Sequence, residues 1–126
     1  MSKKSETPLL TQFESEVMTV LWKIGEGSVR EVLNQLPAER KVAYTSVATI
    51  IKILEDKNFI SSVKVGKTHT FVPRLQKDTY QKKTLRHIVE QLFEGTTSSL
   101  VKNLISDESI SAEEKAEIKK LIAENL

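Results

Sequence analysis

The hydrophobic period of this chain changes once, near Asn58, and that change restricts the fold more than any other feature. Upstream, Val47, Ile50, Ile51 and Leu54 stand at i, i+3, i+4 and i+7, the one-face pattern of an amphipathic helix. β-Branched residues are frequent there, but period and length predict a helix from about Ala43 to Lys57. Asn58 suits the left-handed residue that closes it. Downstream, Phe59 to Val65 and His69 to Val72 read as two strands around Gly66-Lys67-Thr68, with Pro73 closing the second.

Two further helices precede that switch. Thr11 to Glu14 has the spacing of a capping box, and Phe13, Val17, Val20, Leu21 and Ile24 then follow one helical face. Gly25 and Gly27 end this helix. Ser28 to Glu31 repeats the capping spacing, Val29, Val32, Leu33 and Leu36 form a short second stripe, and Pro37 stops it. Three helices followed by a hairpin is the order of a winged helix-turn-helix.

Beyond Arg74 the pattern is helical again. Asp78 to Gln81 has capping spacing, Leu85, Ile88, Val89 and Leu92 share a face, and Gly95 breaks the helix. Leu100, Val101, Leu104 and Ile105 mark a short helix. Ser111 to Glu114 starts a last one, with Ile118, Leu121 and Ile122 on its apolar side. The expected fold is therefore mainly α with a small β-hairpin: a disordered tail at 1–8, a winged-helix DNA-binding domain at 9–75, and a helical dimerisation domain at 76–126. Short helices with bare apolar faces need a partner, so Leu85, Ile88, Val89, Leu92, Leu100, Leu104, Leu121 and Ile122 are expected at a homodimer interface.

Charge is informative in its distribution. The net charge is only +2, but residues 1–75 hold eleven basic and eight acidic residues, against eight and nine in the remainder. No acid occurs from Arg40 to Leu54. The third helix turns Thr45, Ala48, Thr49 and Lys52 away from its apolar stripe, with Tyr44 and Ser46 beside them and Arg40 and Lys41 just before. Small hydroxyl side chains and cations without carboxylates suit a major groove, where an ordinary solvated face carries Glu and Lys. On the hairpin, Lys64 and Lys67 are placed to meet the sugar-phosphate backbone, although lysine on a wing also serves simply to solubilise an edge.

Other chemistries find little support. The chain has no cysteine, which excludes disulfides and thiolate metal sites and fits a cytoplasmic location. No apolar run approaches the ~20 residues of a membrane span, so no membrane insertion is expected. His69 and His87 lie far apart and make a poor metal site. Trp22 reads as a packing residue, and Glu113-Glu114 as acids favoured by a helix N-terminus. No catalytic residue set, metal site or cofactor motif is present, so an enzyme is not expected. The rival to DNA binding is a winged-helix protein-interaction module without DNA readout, which acids or an apolar patch on the third helix would favour.

The segments "LTQFESEVMTVLWKIGEGSVREVLNQL", "AYTSVATIIKILEDKNFI" and "VGKTHTFVP", in that order, resemble the BlaI/MecI/CopY family of penicillinase-type repressors. Glu14, Val17, Met18, Leu21 and Trp22 match the family's opening pattern, Tyr44 to Val47 and Thr49 its recognition-helix start, and "LFEGTTSSLVKNLI" its dimerisation region. The resemblance implies a homodimeric transcriptional repressor on double-stranded, palindromic operator DNA. In the penicillinase branch it further implies release by proteolysis, set off indirectly by a membrane sensor protease, here at the Asn103–Leu104 bond. Ile53 stands where the family usually has arginine, and Asn58 replaces the usual glycine. The copper branch's cysteine cluster is absent.

Overall fold

Helix α1, Gln12–Ile24, starts where its sequence says it must. The Thr11 hydroxyl accepts from the Glu14 amide at 3.2 Å while Glu14 Oε1 accepts from the Thr11 amide at 2.9 Å, a closed capping box. Helix α2, Val29–Gln35, repeats the device with Ser28 and Glu31. Leu36 caps its end with ψ 149°, the extended conformation that the following Pro37 demands. Helix α3 runs Tyr44–Asp56, and Asn58 follows it at φ 67°. The computed structural model describes residues 9–126, so the tail expected at residues 1–8 lies outside the described residues.

Strands β1 (Ile60–Val65) and β2 (Thr68–Pro73) form an antiparallel hairpin, with Val65 opposite Thr68. Its two-residue loop has Gly66 at φ 64° in the first central position, the requirement of a type II′ turn. Sequence reasoning missed a third pairing. Gly27, between α1 and α2, forms a β-bridge with Phe71, its amide donating to Phe71 O at 3.0 Å and Phe71 N donating back at 2.8 Å. A Cβ at Gly27 would stand 2.8 Å from Ile24 Cδ1, so any other residue displaces that side chain.

The core of this winged helix is built by Val17, Met18 and Leu21 from α1, Val32 from α2, Val47, Ile51 and Leu54 from α3, and Phe59, Ile60 and Phe71 from the hairpin. Helix α4, Lys77–Leu92, begins on the same body. Its Tyr80 ring packs 5.9 Å from Trp22 and edge-on 5.7 Å from Phe59, and Tyr80 Oη accepts from the Leu10 amide. Trp22 Nε1 donates to Leu75 O at 2.8 Å, confirming a packing role. Asp78 lies inside the first turn of α4, which starts two residues earlier than an N-cap at Asp78 would place it.

The chain divides into two compact units between Thr84 and Leu85, within α4. The second unit holds the end of α4, then α5 (Thr97–Ser106) and α6 (Ala112–Glu124). Glu94 at φ 52° and Gly95 at φ 79° turn the chain after α4. Ser111 caps α6 by accepting from Glu114 N, and Asp107 turns the chain between α5 and α6 by accepting from the Ser109 amide and hydroxyl. Among the described residues of this unit only Val89 is buried.

Among the described residues of the first unit, one charged group is buried. Glu14 is 3% exposed, and beyond its cap it binds Lys57 Nζ at 2.9 and 3.1 Å, joining the start of α1 to the end of α3. Burial pushes its carboxyl up, but the Thr11 amide and the Lys57 ammonium outweigh that and hold it below the ordinary glutamate value. The group therefore contributes stability above the ordinary glutamate range and loses it as pH falls through the lowered value. Glu14→Ala should cost about 2–3 kcal/mol in urea unfolding at neutral pH, from a lost cap and a lost charged hydrogen bond. Glu14→Gln should flatten the acid limb of the stability profile; a limb as steep as wild type would show that other carboxylates set it.

Candidate nucleic-acid interface

Helix α3 is divided lengthwise. Val47, Ile51 and Leu54 are buried, and Ile50 packs against the same core. Tyr44, Thr45, Ser46, Thr49 and Lys52 are exposed on the other side, as the period required. Ala48 is half-buried at the edge of that face. The face carries no carboxylate before Glu55. Lys52 approaches Asp56 at 3.6 Å, a surface pair of little strength. The Thr49 hydroxyl donates to Thr45 O at 2.9 Å.

The start of α3 also differs from those of α1, α2 and α6. Ala43 occupies its N-cap with no side-chain bond, and no acid stands in its first turn. Amides of that turn remain available to an anion, and the helix dipole favours one there. A cap would have satisfied them, so its absence leaves this end open to a phosphate.

Not every expected residue joins this face. Lys41 is exposed just ahead of it, and Lys64 and Lys67 are exposed on the hairpin, Lys64 directly opposite His69. Arg40 is different. Its Nε donates to Glu16 at 2.8 Å and its guanidinium lies 4.6 Å from the centre of the Phe13 ring, so it is engaged on α1. Arg30 went unnoticed in the sequence, where nothing separates it from an ordinary exposed cation. In the structure its guanidinium lies 4.9 Å over the Tyr44 ring, at the start of α3.

In the second unit the expected interface residues divide as well. Leu85, Leu92, Leu104, Leu121 and Ile122 are exposed, Leu92 at 72%, while Ile88 and Leu100 are half-buried. Val89 is already covered by its own chain and presents nothing to a partner. Asn103 and Leu104 lie inside α5, with Asn103 Nδ2 donating to Ser99 O at 2.9 Å.

Helices α1 to α3 with a hairpin wing, and a third helix whose exposed face carries no acid before Glu55, define a winged-helix transcriptional regulator. The profile of the family described as Penicillinase repressor matches residues 10–124, and the chain belongs to that family. The Penicillinase repressor of Bacillus licheniformis is 24% identical over 118 residues, covering 94% of this chain and 92% of that protein. The Methicillin resistance regulatory protein MecI of Mammaliicoccus sciuri is 23% identical over 94% of this chain and 96% of its own length. The Transcriptional regulator BlaI of Mycobacterium tuberculosis reaches 35% identity over a shorter stretch, 51% of this chain and 47% of that one. The family consists of transcriptional repressors, not enzymes, which agrees with both expectations drawn from the sequence.

The two exposed surfaces should separate by mutation. Thr49→Ala should weaken binding to operator more than to random duplex, because a base-edge contact carries ~1–3 kcal/mol of discrimination. Lys67→Ala should weaken both alike and reduce the log–log salt slope by about 0.9 per lost phosphate contact. Binding isotherms on the two duplexes across a salt series measure this; identical behaviour of the two variants would refute the division of labour between helix and wing.

Proposed function

We propose that the protein represses transcription in the cytoplasm as a homodimer, reading a palindromic operator with α3 while the wing grips the backbone. The observation that carries this reading is the face of α3, which carries no acid before Glu55 and is uncapped at its N-terminus, beside a wing bearing Lys64 and Lys67. Residues 9–75 form the DNA-binding domain and 76–126 hold the dimer. Of the positions assigned to DNA, Tyr44, Thr45, Ser46, Thr49 and Lys52 face the groove, and Lys41, Lys64 and Lys67 meet phosphates. Arg40 supports them indirectly, by fixing the loop before α3 against α1. No helix among the described residues is long and apolar enough to cross a membrane. A gel shift with the DNA upstream of its own gene tests the reading, and no shift there or on random duplex favours an interaction module instead.

The dimer follows from how little the second unit buries. Neither α5 nor α6 buries a single side chain, and short helices are marginal in water without tertiary packing. Pairing Leu85, Ile88, Leu92, Leu100, Leu104, Leu121 and Ile122 across a two-fold axis supplies it, and a two-fold dimer on a palindrome would present its two α3 helices to successive major grooves, roughly 34 Å apart. Sedimentation at micromolar concentration should give twice the chain mass; a monomer, with operator DNA present, is the outcome against it.

Release by cleavage at Asn103–Leu104 fits the same design. Cutting the dimerisation unit forfeits an avidity factor of about 10²–10⁴ without touching α3. Proteases bind extended chain, so α5 must unwind first. Within one protomer α5 buries none of its own side chains, so what resists unwinding is the proposed pairing of Leu100 and Leu104 across the dimer. A membrane sensor protease would act on it indirectly. Intact mass of the repressor from induced cells should show a fragment ending at Asn103; full derepression with the 126-residue chain whole excludes this route.

A further inference from the structure

Between α2, the first turn of α3 and the wing lies an open cleft of about 400 Å³. Arg30, Tyr44, Ser28, Lys67, Thr68 and His69 contribute to its walls, and no carboxylate does. We infer that this cleft seats one phosphodiester of the DNA backbone, with Arg30 as its principal donor. The inference rests on the DNA-binding reading above and adds to it a site that the helix and the wing do not form by themselves.

Arg30 is suited to the task by what it lacks and by what it touches. Among the described residues no carboxylate lies within ion-pair distance of it, whereas Arg40 is held by Glu16. Its guanidinium rests over the Tyr44 ring at 4.9 Å. Such stacking fixes the planar group and leaves its edge N–H donors directed outward, in the fork that matches two phosphate oxygens. A flexible lysine ammonium gains no comparable orientation from a ring. Lys67, on the opposite wall, adds a second positive charge, and the Thr68 hydroxyl a hydrogen-bonding group.

Position supplies the other half of the argument. A recognition helix in the major groove and a wing on the flanking backbone must have a DNA strand passing between them. The cleft opens between those two elements, and the Gly27–Phe71 bridge ties the wing to the turn before α2, whose Ser28 and Arg30 also line the cleft. Tyr44 thus has two roles, as an exposed residue at the start of α3 and as the platform that orients Arg30.

The test uses the full-length protein with a fluorescent random duplex and with the DNA upstream of its own gene, titrated across a salt series. Arg30 is exposed, so Arg30→Ala should unfold in urea like wild type. It should weaken binding several-fold on both duplexes alike and lower the salt slope by about 0.9 for each protomer bound. Arg30→Lys should restore the slope but not the full affinity. Tyr44→Leu should cost less in the Arg30→Ala background than in wild type, because its support of Arg30 is already gone. Unchanged binding by Arg30→Ala, while wild type binds, overturns the cleft and leaves the repressor reading standing. Loss confined to the upstream DNA would make Arg30 a base reader and also overturn it. Failure of wild type to bind either duplex would remove the DNA-binding reading itself.

Discussion

Two backbone hydrogen bonds between Gly27 and Phe71 fix the wing to the helix-turn-helix, and the exposed surface depends on them. A two-stranded hairpin alone is marginal in water. Here β2 gains a partner in the turn between α1 and α2, and Phe71 enters the core. That places Lys67 and His69 on the same cleft as Arg30 and Tyr44. Moving the bridge by one residue would reverse which side of β2 faces inward, exchanging buried Phe71 for a threonine or valine neighbour.

The recognition helix is held by equally specific contacts. Its buried stripe joins the core, while Lys57 at its C-cap reaches the capping carboxylate of α1. Glu14 therefore serves two helix ends with one side chain. Arg40 and Glu16 tie the preceding loop to α1, so α3 is located before its first residue and after its last. These contacts leave the exposed side free of structural duties. Thr45, Ser46 and Lys52 make no contact on which the core depends, which is the condition for a surface to be shaped by a ligand.

Much of this was legible in the sequence because its signals are local. The stripe from Val47 to Leu54 gave α3 to within a residue, and Thr11, Ser28 and Ser111 marked starts that proved to be caps. Asn58 and Gly66 declared their positive φ by residue type. What stayed hidden is tertiary. Lys57 finds Glu14 across 43 positions, and Arg40 finds Glu16 across 24, with no periodic signature to announce either. Arg40 read as a DNA contact because a cation in an acid-free stretch looks unpaired, while its partner lay upstream. Val89 shares the spacing of Ile88 and Leu92, but spacing alone does not reveal which member of a stripe its own chain covers.

The hydrogen bond from Thr49 to the carbonyl of Thr45 has a consequence for what α3 can read. Its only hydroxyl proton is committed within the helix, so toward a groove Thr49 offers lone pairs and a methyl group. Such a side chain can accept from the exocyclic amines of cytosine or adenine, and can touch the methyl of thymine, but has no proton for guanine O6 or N7. Under the proposed docking of α3 in a major groove, selectivity at the base pair beneath Thr49 would arise as a polarity filter imposed by helix geometry, with guanine disfavoured by the absence of a donor.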